Sequence, residues 1–272
     1  MTTWREHDGP LAALVAEPDA PTPRRPTPRQ PVVMVHGFTQ TGRSWLLIAE
    51  RLVGRGHAVV LPDLPGHGRS ATVTASLPAT GDLLADHVDR TDGRPAACVG
   101  YSLGGRCALH LLVQHPDAIS RLALVGAHPG LDDPNERAVR RLDDDALASR
   151  LEAEGIDAFL DHWLTVSLFG GFVPDATEQA IRRANTVTGL ASSLRSAGTG
   201  NQESLWSQLA LLPLPVLAMA GSRDSKFVAL AQRLVATMPN ATSLTIDGAA
   251  HMAHLERPDA VAAAIESFLD AD

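Results

Sequence analysis

The chain reads as an α/β protein: a mostly parallel central sheet flanked by helices, with a helical cap inserted late in the sequence. Three observations predict it. Short apolar runs recur that are continuous rather than alternating, as strands buried on both faces require. Helical patterns separate them, which is the rhythm of a parallel sheet built from βαβ units. That rhythm lapses between about Pro129 and Leu212, where charged helical segments stand instead of strands.

Taken in order, a weak N-terminal hairpin leads to a Pro- and Arg-rich stretch, Pro21 to Pro31, read as an exposed loop. Val32 to Val35 is the first long buried strand, followed by an amphipathic helix over Ser44 to Leu52. A strand at Ala58 to Leu61 and a helix at Leu83 to Val88 come next. The strand Ala96 to Val99, the helix Cys107 to Val113 and the strand Leu122 to Val125 complete the first half. The inserted segment holds helical patterns at Asn135 to Ala153, Ile156 to Leu164 and Ala176 to Asn185. Strands return at Val216 to Ala220 and Ser243 to Ile246, with helices at Phe227 to Met238 and Asp259 to Leu269. The expected organisation is a core from residues 1–128 and 213–272 and a cap from 129–212, placed above the strand ends where open sheets bind ligands.

Length and composition bound the function. At 272 residues the chain has room for one large domain with an insertion. It is 44% hydrophobic and 20% charged, and its net charge of −8 comes with no basic stripe, which argues against a nucleic-acid partner. No run reaches the roughly 18 apolar residues of a membrane helix. The opening Met1 to Glu6 lacks an apolar signal core, and only two cysteines occur, Cys98 and Cys107. A cytoplasmic enzyme with both thiols reduced and buried as small apolar fillers is expected.

Chemistry centres on Gly100-Tyr101-Ser102-Leu103-Gly104, a G-x-S-x-G pentapeptide between a predicted strand and a predicted helix. In that setting it forms a nucleophile elbow: Ser102 sits in a strained turn, with glycines letting strand and helix pack close and a helix N-terminus favouring negative charge. A serine hydroxyl needs a histidine to take its proton and an acid to orient that histidine. Asp224, just after one core strand, and His251, just after the last, stand in the order this architecture uses. The plain alternatives are a helix-cap aspartate and an ordinary loop histidine. His254, three residues on, could share a helical face with His251 like half a metal site. No H-E-x-x-H pattern or Cys/His cluster accompanies it, so no metal is expected. Two backbone amides are expected to form an oxyanion hole, those of Leu103 and of Phe38 in His36-Gly37-Phe38. The loop Asp63 to Ser70 is read as structural, shaping the floor of the site.

Together these pieces resemble the α/β-hydrolase superfamily over nearly the whole chain. A narrower set resembles its MenH family, the synthases of 2-succinyl-6-hydroxy-2,4-cyclohexadiene-1-carboxylate in menaquinone biosynthesis. It comprises Tyr101-Ser102-Leu103-Gly104-Gly105-Arg106, His128-Pro129-Gly130-Leu131, Ser193 to Gln202 leading into Ser204-Leu205-Trp206, and Asp224-Ser225-Lys226-Phe227. The resemblance implies elimination of pyruvate from an enolpyruvyl-cyclohexene carboxylate without cofactor or metal. It also implies arginines for a small polyanionic substrate: Arg106 one helical turn past the nucleophile, and Arg140 and Arg183 in the cap, with Tyr101 and Trp163 lining the pocket. Ala250 stands where that family more often has Gly, and Asn185-Thr186 matches its pattern poorly. The triad alone serves equally a serine hydrolase acting on an ester or carbon–carbon bond, a cofactor-free haloperoxidase-like enzyme, or a receptor that retains the residues.

Overall fold

The computed structural model describes residues 2–18, 29–89 and 95–271. Most of the Pro- and Arg-rich stretch lies outside them. In chain order the described elements are β1 (Arg5–His7), β2 (Ala13–Ala16), β3 (Val32–Val35), α1 (Leu46–Gly54), β4 (Val59–Pro62), α2 (Leu77–Asp89), β5 (Ala96–Tyr101), α3 (Leu103–Gln114) and β6 (Ile119–Val125). Then come α4 (Pro134–Glu154), α5 (Ile156–Trp163), α6 (Ala176–Arg183), α7 (Val187–Ala197) and α8 (Trp206–Leu209). The chain closes with β7 (Val216–Gly221), α9 (Ser225–Thr237), β8 (Ala241–Ile246), α10 (Ala253–Glu256) and α11 (Pro258–Asp270).

The eight strands form one sheet in the order β1-β2-β4-β3-β5-β6-β7-β8. β1 and β2 are the expected hairpin, and β2 runs antiparallel to β4. From β4 onward every pairing is parallel, with Val35 opposite Gly100 and Gly100 opposite Leu124. Side chains on these strands alternate between two cores. Val33, Val35, Cys98, Leu122 and Leu124 pack under α2, α3 and α9; Met34, Val99, Ala123, Val125 and Met219 pack under α1 and α11. Burial on both faces explains why these strands read as unbroken apolar runs. Both cysteines are buried and free, and burial pushes each thiol up to about 12.

Between β6 and β7 the elements are helical. α4 is capped by Asp133, whose carboxylate accepts from the Asn135 amide, and Pro134 occupies its first turn. α4, α5 and α7 share a small core of their own, built on Leu151, Phe159, Leu160, Leu190 and Leu194. α7 has no counterpart among the helices expected from the sequence. Its residues, VTGLASSLRSA, are mostly small and polar, so its apolar stripe is thin. The reason is close packing: a Cβ at Gly189 would lie 2.5 Å from the Gly66 carbonyl oxygen. The helix rests backbone to backbone on the Asp63 to Ser70 loop, and only small residues allow that.

Candidate active site

The strand-to-helix turn at Ser102 is as sharp as turns become. β5 ends at Tyr101, α3 begins at Leu103, and Ser102 alone joins them with φ 50° and ψ −109°. A non-glycine residue there stores about 1–3 kcal/mol of strain. The surroundings hold it. The Ser102 amide donates to the Val125 carbonyl at 2.9 Å, and its own carbonyl accepts from Arg106 at 3.0 Å. Gly104 is required because α3 crosses close over β3: a Cβ there would sit 2.2 Å from the Val35 carbonyl oxygen.

Ser102, Asp224 and His251 come together. The Ser102 hydroxyl donates to His251 Nε2 at 3.1 Å, and His251 Nδ1 donates to Asp224 Oδ2 at 2.8 Å. These bonds fix the tautomer that leaves the Nε2 lone pair facing the hydroxyl. Asp224 also serves as a helix cap, since its Oδ1 accepts from the Phe227 amide at 3.4 Å. The two readings of this residue hold at once: the cap bond orients the carboxylate that meets the histidine. Rings of Phe227 and Tyr101 pack on His251 at 4.4 and 5.4 Å between centroids.

His254 is not part of this chain of bonds. It is buried between the rings of Tyr101 and Trp45, which lie 4.2 and 4.7 Å away, and burial holds it well below the usual histidine range. Among the described residues no group of three His, Cys, Asp or Glu is placed to hold a metal.

Phe38 and Leu103 face the same cavity as Ser102. Leu103 is the first residue of α3, so its amide has no partner within the helix. Among the described residues neither amide donates a hydrogen bond. The loop carrying Phe38 is held on its core side by His36: Nδ1 donates to the Gly37 carbonyl at 2.8 Å, and Nε2 accepts from the Leu64 amide at 2.9 Å. Asp63 in turn accepts from the Gly42 and Arg69 amides, so the Asp63 to Ser70 loop is the scaffold expected of it.

The cavity, about 140 Å³, lies between the sheet ends and the helical insertion. Arg106, Tyr101, Arg140 and Trp163 all line it. The Arg106 guanidinium is buried. Its one protein hydrogen bond among the described residues goes to the Ala197 carbonyl at 2.9 Å, and burial lowers its pKa to about 10. Arg140 reaches the cavity while pairing with Asp144 at 2.8 Å. Trp163 packs edge-on against Phe38 and Phe169 at 5.5 and 5.4 Å.

Arg183 is a correction. Its guanidinium points outward, to Asp157 at 2.7 Å and to Gln179 at 3.1 Å. The neighbour Arg182 faces the cavity instead, 2% exposed and paired with Glu178 at 2.8 Å. Successive helix residues are about 100° apart around the axis, so one of two adjacent arginines turns in and the other out. Sequence reasoning also passed over Lys226, which lines the cavity beside Asp224, although it was in view within Asp224-Ser225-Lys226-Phe227. The available signal was its distance of two residues from the acid on the first turn of α9.

With this geometry in view, comparison with known proteins is decisive. The description "Alpha/beta hydrolase family" matches residues 32–264. The chain belongs to the α/β-hydrolase family. Within it, the resemblance to MenH holds. The chain is 31% identical over 253 residues to the putative 2-succinyl-6-hydroxy-2,4-cyclohexadiene-1-carboxylate synthase of Bacillus subtilis, covering 88% of this chain and 89% of that protein. It is 32% identical over 241 residues to the synthase of that name from Salmonella arizonae, covering 88% and 93%. The structure of MenH from S. aureus superposes with a TM-score of 0.86 at 30% identity, over 94% of this chain and 97% of that one.

Several buried histidines tie stability to pH. Burial lowers His36, His110 and His128 to about 4 and His67 to about 3. Between those values and 6.5 the unfolded chain binds more protons than the folded one, so stability rises with pH through that window and is lost as pH falls. Glu178, whose carboxyl burial pushes up, acts oppositely just above 4.5, but it is one group against several. Urea midpoints are expected to stay level above about pH 7 and to fall steeply from 6.5 towards 4. A flat profile across that window would mean these rings are protonated in the fold.

Proposed function

We propose that the chain is a carbon–oxygen lyase that eliminates pyruvate from an enolpyruvyl-cyclohexene carboxylate, forming 2-succinyl-6-hydroxy-2,4-cyclohexadiene-1-carboxylate on the route to menaquinone. The observation that carries this reading is the charge in the cavity. A chain of net charge −8 gathers Arg106, Arg140, Arg182 and Lys226 around its nucleophile. Arg140 and Arg182 are paired with Asp144 and Glu178, but Arg106 and Lys226 make no ion pair among the described residues. A neutral ester would leave those two cations unengaged, whereas a substrate with several carboxylates engages them. The likeness to the named synthases supports the same conclusion.

The geometry supports the following steps. His251 Nε2 accepts the Ser102 proton as Ser102 Oγ takes a proton from the ring carbon next to the succinyl ketone. The electrons of that C–H bond flow towards the ketone, and the developing enolate oxygen is held by the Phe38 and Leu103 amides. They then return through the ring, the carbon–oxygen bond to the enolpyruvyl group breaks, and the leaving enolate recovers a proton to become pyruvate. Atoms balance without water. Asp224 stabilises the imidazolium formed in between.

The reading is tested by supplying the enolpyruvyl-cyclohexene substrate and following diene absorbance and pyruvate together, with a neutral p-nitrophenyl ester in parallel. Equal appearance of both products, with feeble ester cleavage, is the expected outcome. Brisk ester turnover with no acceleration of the elimination would replace this reading with a serine hydrolase.

A further inference from the structure

We propose that α6 assembles half of the oxyanion hole, with Asn185 as the positioning residue that holds Thr39, and through it the Phe38 amide, in place. The inference rests on the catalytic roles of Ser102 and the two amides proposed above.

Thr39 follows Phe38 directly and has φ 66°. A β-branched side chain in that left-handed region is a true outlier, and such a conformation persists only where its surroundings impose it. The groups imposing it come from α6 and the residues just after it. Asn185 Nδ2 donates to the Thr39 carbonyl at 2.7 Å, and an Arg182 Nη1 hydrogen bond reaches the Thr39 hydroxyl. Asn185 itself is fixed by accepting from the Gly68 amide at 2.8 Å and donating to the Arg182 carbonyl at 3.0 Å. Glu178, one turn before Arg182, pairs with its guanidinium and accepts from Ser44 at 3.1 Å. Gln40 closes the loop: its Oε1 accepts from the Gly37 amide at 3.1 Å, and its Nε2 reaches Glu178 at 3.5 Å.

Both neighbours of Phe38 are therefore tied to one face of α6, Thr39 directly and Gly37 through Gln40. The Leu103 amide has no such dependence, because the core helix α3 carries it. One donor of the hole is built into the sheet and helix beneath. The other leans on contacts from the helical insertion as well as on the core, which couples the fit of the insertion to enolate stabilisation.

The test is a double-mutant cycle on the full chain, Asn185→Ala with and without Thr39→Gly. Two rates are read: diene formation, and phosphonylation of Ser102 by a fluorophosphonate, in which the Oγ–P bond forms as fluoride leaves. Asn185→Ala is expected to lower kcat and the phosphonylation rate roughly ten- to hundredfold while KM moves less than about threefold. In the Thr39→Gly background the same change is expected to cost less than about threefold, because glycine holds this backbone without help. If Asn185→Ala melts too low to assay, Glu178→Gln, which removes the charge holding Arg182, runs the same cycle. Equal losses in both backgrounds, or a loss confined to KM, would overturn the inference. A wild-type chain that is phosphonylated but forms no diene sinks the lyase reading and leaves the cycle readable on Ser102. One that is not phosphonylated sinks the nucleophile and this inference with it.

Discussion

Ser102→Ala is expected to lower kcat by roughly 10,000-fold or more while leaving the fold intact. The size follows from position. Ser102 is the one group of this site placed both to meet substrate and to hand a proton to His251, 3.1 Å away. Alanine removes that hydroxyl and nothing else, since the backbone bonds to Val125 and from Arg106 are made by main-chain atoms. Stability should change little, because alanine inherits the same turn. Ser102→Gly provides the internal control: at φ 50° it relieves strain and is expected to be more stable than Ser102→Ala by about 1–3 kcal/mol, while equally inactive. Thermal melts and single-turnover kinetics on the two variants separate these effects. Near-native turnover by the alanine variant would remove Ser102 from the proton path.

Arg106→Met is expected to split function from stability. The guanidinium is buried, bonded within the protein only to the Ala197 carbonyl among the described residues, and lowered to about 10 by desolvation. Its remaining donors are available to a carboxylate in the cavity. Removing one partner of a buried charge pair costs about 2–5 kcal/mol, so kcat/KM for the polyanionic substrate should fall by roughly 30- to 5,000-fold. Methionine keeps the apolar stem and removes a desolvated charge that makes no ion pair among the described residues, with Asp144 acting on it only through space, so the ligand-free melting temperature should hold or rise. Cleavage of a neutral ester should change by less than about threefold. Equal losses on both substrates would assign Arg106 to packing.

How much of this was legible in the sequence depends on the range of the interaction. Val32 to Val35 is the strand β3 to the residue, because four consecutive buried positions leave no other reading. The Ser102 turn was legible because glycine on both sides signals close packing before the partner is known. Helix α7 was not, since its burial comes from a loop more than a hundred residues earlier in the chain, and its own pattern of small residues resembles a loop. Asn185 was set aside as a poor match to the resembled family, yet it is buried and bonded to Thr39 and Gly68. Nothing local distinguishes such an asparagine from one facing solvent.

By itself the sequence determined the order of the strands and most of the helices between them, the nucleophile elbow, and the succession Ser102, Asp224, His251. These rest on periodicity, turn chemistry and chain order, which are properties of neighbouring residues. Only the tertiary structure decided that Arg182 and not Arg183 enters the cavity, that Lys226 joins it, and that a strained Thr39 is held from across the fold. The orientation of a polar side chain is set by what packs against its helix or loop, and that partner lies elsewhere in the chain.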